Sequence, residues 1–321
     1  MADGLNVMPG AILSALTVSG FGVKLRAVSK ALEESEIRSL VKLLDEENPE
    51  SLSFVRREIL SLGKKVLPYL DEVQGMELSK PQLAENARQI ASHLRFSDLK
   101  REFRAWAAKS SPDLEDGAFL VARFAYPGLD PAPYQHWLDE VAAATAEQMP
   151  SEFESFEAFQ RLNGQLFHKL GFVGNETNYY DPDNSYLNRV IDSRRGIPVS
   201  LSVLYLLLCR RLRLRAYGVG APGHFLVGFK EGKSACFVDT FHRGAFLDFD
   251  EARRLIVRAG YEFRPEYLAP GSARGILLRM VRNLISIYQN SGSANAGRLS
   301  ELAEILLLKR PLPSTGQPDG L

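Results

Sequence analysis

Residues 179–244 read YYDPDNSYLNRVIDSRRGIPVSLSVLYLLLCRRLRLRAYGVGAPGHFLVGFKEGKSACFVDTFHRG, and this segment decides the fold. The pattern predicts a helix that begins at GIPVS, a strand at PGHFLVGF and a second strand at ACFVDTF. Short runs of β-branched and aromatic residues, separated by Pro-Gly and by EGKS, are typical of strands joined in a hairpin. A long apolar helix followed by a small antiparallel sheet is therefore expected at the centre of this protein.

The same segment holds a candidate pair of reactive side chains. His224 begins the first strand and Asp239 ends the second. On neighbouring antiparallel strands the two can meet, so that the carboxylate orients the imidazole and leaves its other nitrogen free as a base. The structural alternatives are a strand histidine bonded to a backbone carbonyl and an aspartate that forms a turn. His242 lies three residues after Asp239 and is either a surface turn residue or part of the same site.

The composition gives little support to several classes of function. The chain has 321 residues with 39 basic and 39 acidic side chains, so charge gives no reason to expect nucleic acid or an anionic membrane as a partner. Neither HExxH nor CxxC spacing occurs, and no glycine-rich phosphate-binding motif is found. We therefore expect neither a metal nor a cofactor.

The cysteines and the N-terminus bear on the compartment. Cys209 and Cys236 lie in apolar segments and are too few for a disulfide framework, which favours buried packing in a reducing environment. The early run GAILSALTVSGFGV lacks the basic start of a secretory signal and is too short and too rich in Gly and Ser for a confident membrane span. A cytoplasmic location follows as the expectation.

The changes in pattern along the chain predict five regions. They are a flexible N-terminal extension at 1–32, a helical, HEAT-like region at 33–110, a core at 111–270, a helical hairpin at 271–308 and a disordered tail at 309–321.

Five segments of the sequence resemble the SirB-type branch of the transglutaminase-like superfamily. They are DLEDGAFLVARFAYPGLD at 113–130, LGFVGNETNYYDPDNSYLNRVIDSRRGIPVSLSVLY at 170–205, GVGAPGHFLV at 218–227, DTFHRG at 239–244 and RMVRNLISIY at 279–288. The resemblance runs from about residue 50 to 308. It implies an α+β fold: a papain-like core with a small antiparallel sheet, preceded by helices and followed by a shortened tetratricopeptide-like helix pair.

The resemblance also implies roles for individual residues. Transglutaminase-like enzymes use a Cys-His-Asp triad, whose thiol begins a helix just after a glycine, where the helix N-terminus lowers the thiol pKa. His224 matches the family's histidine and Asp239 its aspartate. The cysteine position, two residues after Gly196, falls on Pro198, which carries no nucleophile.

Three hypotheses for function follow. The first is a pseudoenzyme that binds a peptide or protein partner in a cleft at His224 and Asp239. The second is a hydrolase or acyl transferase in which Ser200 is the nucleophile and His224 its base, unless Ser200 only caps its helix. The third, a live cysteine enzyme, would require Cys209 or Cys236 to reach His224, although Cys209 lies about three turns into its helix.

Further side chains are predicted to line the cleft. They are Asn184, Ser185, Tyr186, Asn188, Arg195, Pro198, Gly223 and His242. The polar residues of the YYDPDNSYLN word could instead form a network that holds their own loop together. Arg195 could pair with Asp181 or Asp192, or meet an anionic ligand.

Overall fold

The computed structural model describes residues 34–76, 78–149 and 155–308. The chain divides into two units, residues 1–87 and 88–321, and the division falls within one long helix. The predictions of a flexible extension at 1–32 and a disordered tail at 309–321 concern residues outside the described ranges.

The described part of the first unit is helical. Its elements are α1 (Glu34–Lys42), α2 (Pro49–Ser61), α3 (Leu67–Gln74) and the start of α4 (Pro81–Ala108), with 3-10 turns at Leu43–Asp45 and Gly63–Val66. The Asn48 side chain accepts the backbone N–H groups of Glu50 and Ser51 and so caps α2. The helical, HEAT-like region at 33–110 stays a prediction.

The second unit surrounds a four-stranded antiparallel sheet with helices. The sheet has the order β3 (Ala216–Val219), β4 (Leu226–Glu231), β5 (Ser234–Asp239) and β6 (Ala245–Leu247), and a separate two-residue parallel pair joins β1 (Val173–Gly174) to β2 (Arg195–Gly196). The helices are α5 (Leu114–Arg123), α6 (Ala132–Ala146), α7 (Ser155–Asn163), α8 (Leu187–Ser193), α9 (Pro198–Arg211), α10 (Phe249–Arg258), α11 (Ala273–Asn290) and α12 (Asn295–Leu307). A π-helical turn at Gly164–Lys169 and 3-10 turns at Pro182–Ser185 and Pro265–Leu268 complete the unit. The predicted α+β class is confirmed.

Helix α9 forms the centre of the second unit. All its residues from Pro198 to Cys209 are buried, as expected of a helix that is apolar on every side. Tyr205 lies between the rings of Phe159 and Phe167, with ring centroids 6.4 and 6.1 Å away, and donates a hydrogen bond of 2.7 Å to Asn163 Oδ1. This packing holds the middle of α9 against the residues of α7 and of the π-helical turn that follows it.

An ion-pair cluster holds the other end of α9. Glu115, on α5, is buried with 3% exposure. Its two oxygens accept hydrogen bonds of 2.7 and 3.0 Å from Arg211, and it also pairs with Arg210. Arg211 reaches Asp139 on α6 as well, at 2.5 Å. The cluster therefore ties α5, α6 and α9 together through charge-assisted bonds.

Helices α11 and α12 pack against each other at the end of the described chain. Ser272 caps α11 by accepting the backbone N–H of Gly275 at 3.1 Å. Across the described residues, no helix combines the length and apolar content needed to cross a membrane.

Candidate functional site

The β4–β5 hairpin brings His224 to Asp239. Val227 pairs with Val238 in the sheet, so Asp239 lies opposite Leu226, two residues after His224. Gly223 has a φ of +74°, a left-handed conformation that glycine adopts without a steric penalty. The chain can therefore turn just before His224, and the imidazole Nε2 lies 2.9 Å from Asp239 Oδ2.

Asp239 serves two histidines through one oxygen. Its Oδ1 accepts the backbone N–H groups of Phe241 and His242 at 3.1 and 3.2 Å. Its Oδ2 lies 2.9 Å from His224 Nε2 and 2.8 Å from His242 Nδ1. The Asp239 side chain is 4% exposed, whereas that of His242 is 56% exposed. We call these three side chains the His224 site.

The contacts of the two histidines with Asp239 differ in hydrogen-bond geometry. His242 Nδ1 forms a hydrogen bond with Asp239. His224 Nε2 is buried and near enough to the same oxygen for an ion-pair contact, but its N–H is not aligned for a hydrogen bond. The close contact with Asp239 and the packing of Phe241 thus hold the His224 ring, and its Nδ1 is the nitrogen left for a ligand.

The pKa of Asp239 reflects a balance of burial and charge. Burial alone would raise it, but the close contact with His224, and then that with His242, outweigh burial and lower the pKa of Asp239 below its ordinary value. The Asp239 carboxylate therefore stays ionised near neutral pH.

Acid should remove the stability that the Asp239 carboxylate contributes. Because the pKa is lower in the folded protein than in the unfolded chain (about 3.9), this contribution is complete above about pH 4 and is lost as pH falls through the folded value. We expect the difference in free energy of unfolding between wild type and Asp239→Asn to shrink on going from about pH 7 to about pH 3. Urea unfolding at both values measures it, and a difference that stays constant contradicts the expectation.

The His224 site also has the donor set of a metal site. One ligand atom from each of His224, Asp239 and His242 lies within 4.8 Å of the others, and two imidazoles with a carboxylate suit a divalent transition metal. The short nitrogen–oxygen distances equally satisfy a carboxylate shared by two imidazoles. Motif searches miss this group because its ligands come from a turn, a strand end and the next turn.

Ser200 is bound to backbone groups of its own surroundings. Its hydroxyl is buried, donates to the carbonyl of Asn184 at 2.5 Å and accepts the N–H of Ile197 at 3.1 Å. No hydrogen bond joins Ser200 to His224 in the described ranges. Ser200 thus has the capping role, and the structure does not bring it to the histidine that would activate it.

Pro198 occupies the first position of α9 and is buried. Thr240, the residue after Asp239, approaches this turn: its hydroxyl lies 3.5 Å from the carbonyl oxygen of Pro198 and 2.9 Å from the hydroxyl of Ser202. The end of β5 therefore packs on the first turn of α9, the place at which the resemblance implies a thiol.

Four of the predicted cleft-lining residues are interior instead. Asn184, Ser185, Tyr186 and Asn188 are all buried. Asn184 accepts from Asn175 at 2.9 Å and donates to the carbonyl of Asn178 at 2.7 Å, and the Tyr186 hydroxyl meets that of Tyr288 at 3.1 Å. Asn184 thus holds its own loop together, and Tyr186 ties it to α11, as expected for buried polar groups with protein partners.

Ser185, Asn188 and Arg195 differ from Asn184 and Tyr186 in their contacts. Ser185 Oγ and Asn188 Oδ1 are buried without a hydrogen-bond partner in the described part of the chain. Arg195 is exposed on β2 and pairs with neither Asp181 nor Asp192 among the described residues; Asp192 lies 3.6 Å from Arg189 instead.

Aromatic rings and a cation border His224, and of these Phe241 and Arg279 were absent from the predicted site. The Phe241 ring meets the His224 ring edge-on at 6.3 Å, and Tyr179 packs on Phe241 at 6.0 Å. Arg279, on α11, reaches the carbonyl oxygen of His224 at 3.4 Å. Phe241 adjoins the DTFHRG word, but nothing in the local pattern around Arg279 points to His224, which lies 55 residues away.

Comparisons with known proteins find a family model and several relatives that match parts of this chain. Residues 132–282 match the model of the transglutaminase-like superfamily. A UPF0162 protein of Xylella fastidiosa is 39% identical over 184 residues, which cover 54% of this chain and 64% of that protein. A second UPF0162 protein, from Pseudomonas aeruginosa, is 27% identical over 62% of this chain and 75% of its own length.

A eukaryotic relative matches the same chain over a shorter stretch. F-box only protein 21 of Homo sapiens is 31% identical over 45% of this chain and 24% of its own length. The aligned region thus spans less than two thirds of the Xylella protein and about a quarter of the human one. No solved structure matches. By these matches, residues 132–282 of this chain are similar to the transglutaminase-like superfamily, and the chain is similar to UPF0162 proteins.

Proposed function

We propose that this protein binds a peptide or protein partner at the His224 site and performs no thiol chemistry there, as a member of the SirB-type branch. The observation that carries the proposal is the combination at one place of an ordered histidine–aspartate pair with Pro198 at the start of α9. A triad without its nucleophile keeps the means to orient a polar ligand but cannot form a covalent intermediate.

The surface around the site suits a peptide. Tyr180 is 67% exposed and lies edge-on to Tyr179, whose other neighbour is Phe241. Exposed aromatic rings with polar tips are enriched where proteins bind one another, because they offer apolar area together with a hydrogen bond. A balanced overall charge gives no comparable support for nucleic acid, and a cytoplasmic protein remains the expected setting.

The alternative of a serine hydrolase or acyl transferase has weaker support. Ser200 Oγ is engaged by the backbone at Asn184 and Ile197, and a serine hydroxyl needs a base within hydrogen-bond reach to become a nucleophile. A Ser200→Ala variant therefore separates the two functions.

A displayed library of random peptides, selected on the wild-type protein, tests the proposal. Selected peptides are synthesised with a fluorophore and their affinities measured by anisotropy. We expect His224→Ala and the gentler His224→Gln to weaken binding about 10-fold, the effect of losing a charge-assisted contact. His136→Ala is the matched control, since His136 is an exposed histidine of α6 that pairs with Glu140; its affinity should change less than about twofold.

Two results would overturn the proposal. One is a library that yields no peptide, or peptides that bind the His224 variants as well as wild type. The other is a peptide that wild type cleaves or modifies and Ser200→Ala leaves intact, which would establish the serine enzyme.

A further inference from the structure

A second side chain of the same surface, Arg279, is a cation with unused hydrogen-bonding capacity. Its side chain is half-buried on α11, and its Nη2 lies 3.4 Å from the carbonyl oxygens of Ala221 and His224. Both distances are at the long limit for a hydrogen bond. Neutral carbonyls at this range leave most of the five guanidinium N–H donors without a strong acceptor.

The surroundings of Arg279 supply no compensating charge. No Asp or Glu pairs with it in the residues that the structure describes, and Arg282, one turn further along α11, adds a charge of the same sign. Burial lowers the pKa of Arg279, the phenols of Tyr179 and Tyr261 oppose this, and Arg282 adds to it. A partly desolvated cation without an anion is unfavourable, so this position gains from a negatively charged ligand.

Arg279 adjoins the His224 site through the backbone of His224. Tyr261 is 47% exposed and comes so close to Gly223 that a Cβ there would lie 3.4 Å from its ring and 3.2 Å from Ala259. On the other side, Tyr179 leads through Phe241 to the His224 ring. A peptide bound at His224 can therefore also reach the guanidinium of Arg279 with a neighbouring group.

We propose that Arg279 binds a carboxylate of the peptide that the His224 site holds, an inference that rests on the proposed function. The planar guanidinium fork matches a carboxylate with two parallel hydrogen bonds, and one half-buried cation balances one unit of negative charge. The carboxylate belongs either to the chain end of the peptide or to an Asp or Glu side chain, and peptide chemistry distinguishes the two sources.

The probes are three versions of each peptide selected on wild type: a free C-terminal acid, a C-terminal amide, and an amide in which every Asp and Glu is replaced by its amide counterpart. We expect wild type to bind the carboxylate-bearing version about 10-fold or more tightly than the version without it, as for a hydrogen bond to a charged group. A loss of affinity from the free acid to the amide identifies the chain end as the bound carboxylate. A loss of affinity between the two amides identifies an Asp or Glu side chain.

The variants tie this preference to one residue. Arg279→Gln should remove it, and Arg279→Lys should keep part of it, because the charge remains and the fork is lost. Arg282→Gln is the matched control on the same helix, since Arg282 is exposed, and it should alter affinity less than about twofold. Thermal unfolding confirms that each variant is folded. If Arg279→Gln does not fold, Arg279→Lys still tests the role of the guanidinium.

The failures are distinguishable. Three versions that bind wild type equally well overturn the role of Arg279 and leave the proposed function standing. A preference for carboxylate that survives in both Arg279 variants also overturns it. If no version binds wild type, the proposed function fails and this inference fails with it.

Discussion

Replacing Pro198 with cysteine yields a thiol whose pKa falls below about 7, against about 8.5 for a free cysteine. The N-terminus of α9 places a partial positive charge at this position, and the His224–Asp239 pair lies at the strand end that packs on the same turn. The N–H that cysteine restores at the first helical position needs no intrahelical partner, so the helix should tolerate the change. The ultraviolet absorbance of the thiolate, followed against pH, measures this pKa.

The native cysteines and a matched variant provide the controls. Burial raises the pKa values of both Cys209 and Cys236, so their titrations stay apart from that of the new thiol. Pro49→Cys makes the same substitution at the first residue of α2, where a helix N-terminus acts without a histidine. If the Pro49 and Pro198 variants titrate at the same pH, or if His224→Ala does not raise the pKa of the new thiol, Pro198 does not occupy the thiol position.

Glu115→Ala is expected to lower the free energy of unfolding by about 3 kcal/mol, because removing the anion of a buried ion pair leaves its cationic partners without a compensating charge. Glu115 is the buried anion shared by Arg210 and Arg211, and its loss also frees the junction of α5 with α9. Urea unfolding monitored by circular dichroism measures the difference.

The neighbouring Asp116→Ala is the control for that measurement. Asp116 is exposed and pairs with Lys109 at 3.5 Å on the surface, so its removal should cost less than about 1 kcal/mol. Equal losses for the two variants would show that the Glu115 cluster contributes no more than a surface ion pair.

The central elements were predictable because their patterns are local. The run from Val199 to Cys209, apolar except for Ser200 and Ser202, predicts a buried helix, and the β-branched and aromatic residues of PGHFLVGF predict a strand. The register of a short hairpin then determines where His224 and Asp239 lie, so their contact follows from the spacing between them. The resemblance added Pro198 as the position of the absent nucleophile.

The remaining features depend on tertiary packing that no local pattern records. Asn184 and Tyr186 belong to a polar segment whose sequence is compatible with a cleft lining and with a buried network. Only the burial of these side chains in the folded protein distinguishes the two. Arg279, on α11, reaches the backbone of His224, which precedes β4. Glu115 pairs with Arg211, which is 96 residues further along the sequence. Such long-range contacts join residues that have no common motif.

The most direct test of the central claim combines binding and chemistry in one sample. Nuclear magnetic resonance of protein with ¹⁵N-labelled histidine follows the imidazoles while a selected peptide is added, and mass spectrometry weighs the recovered peptide. We expect the His224 signals to shift as the peptide binds, those of His136 to stay in place, and the peptide to return with its mass unchanged. A cleaved or modified peptide, or a His224 signal that does not respond to a bound peptide, would contradict a binding site that has lost its nucleophile.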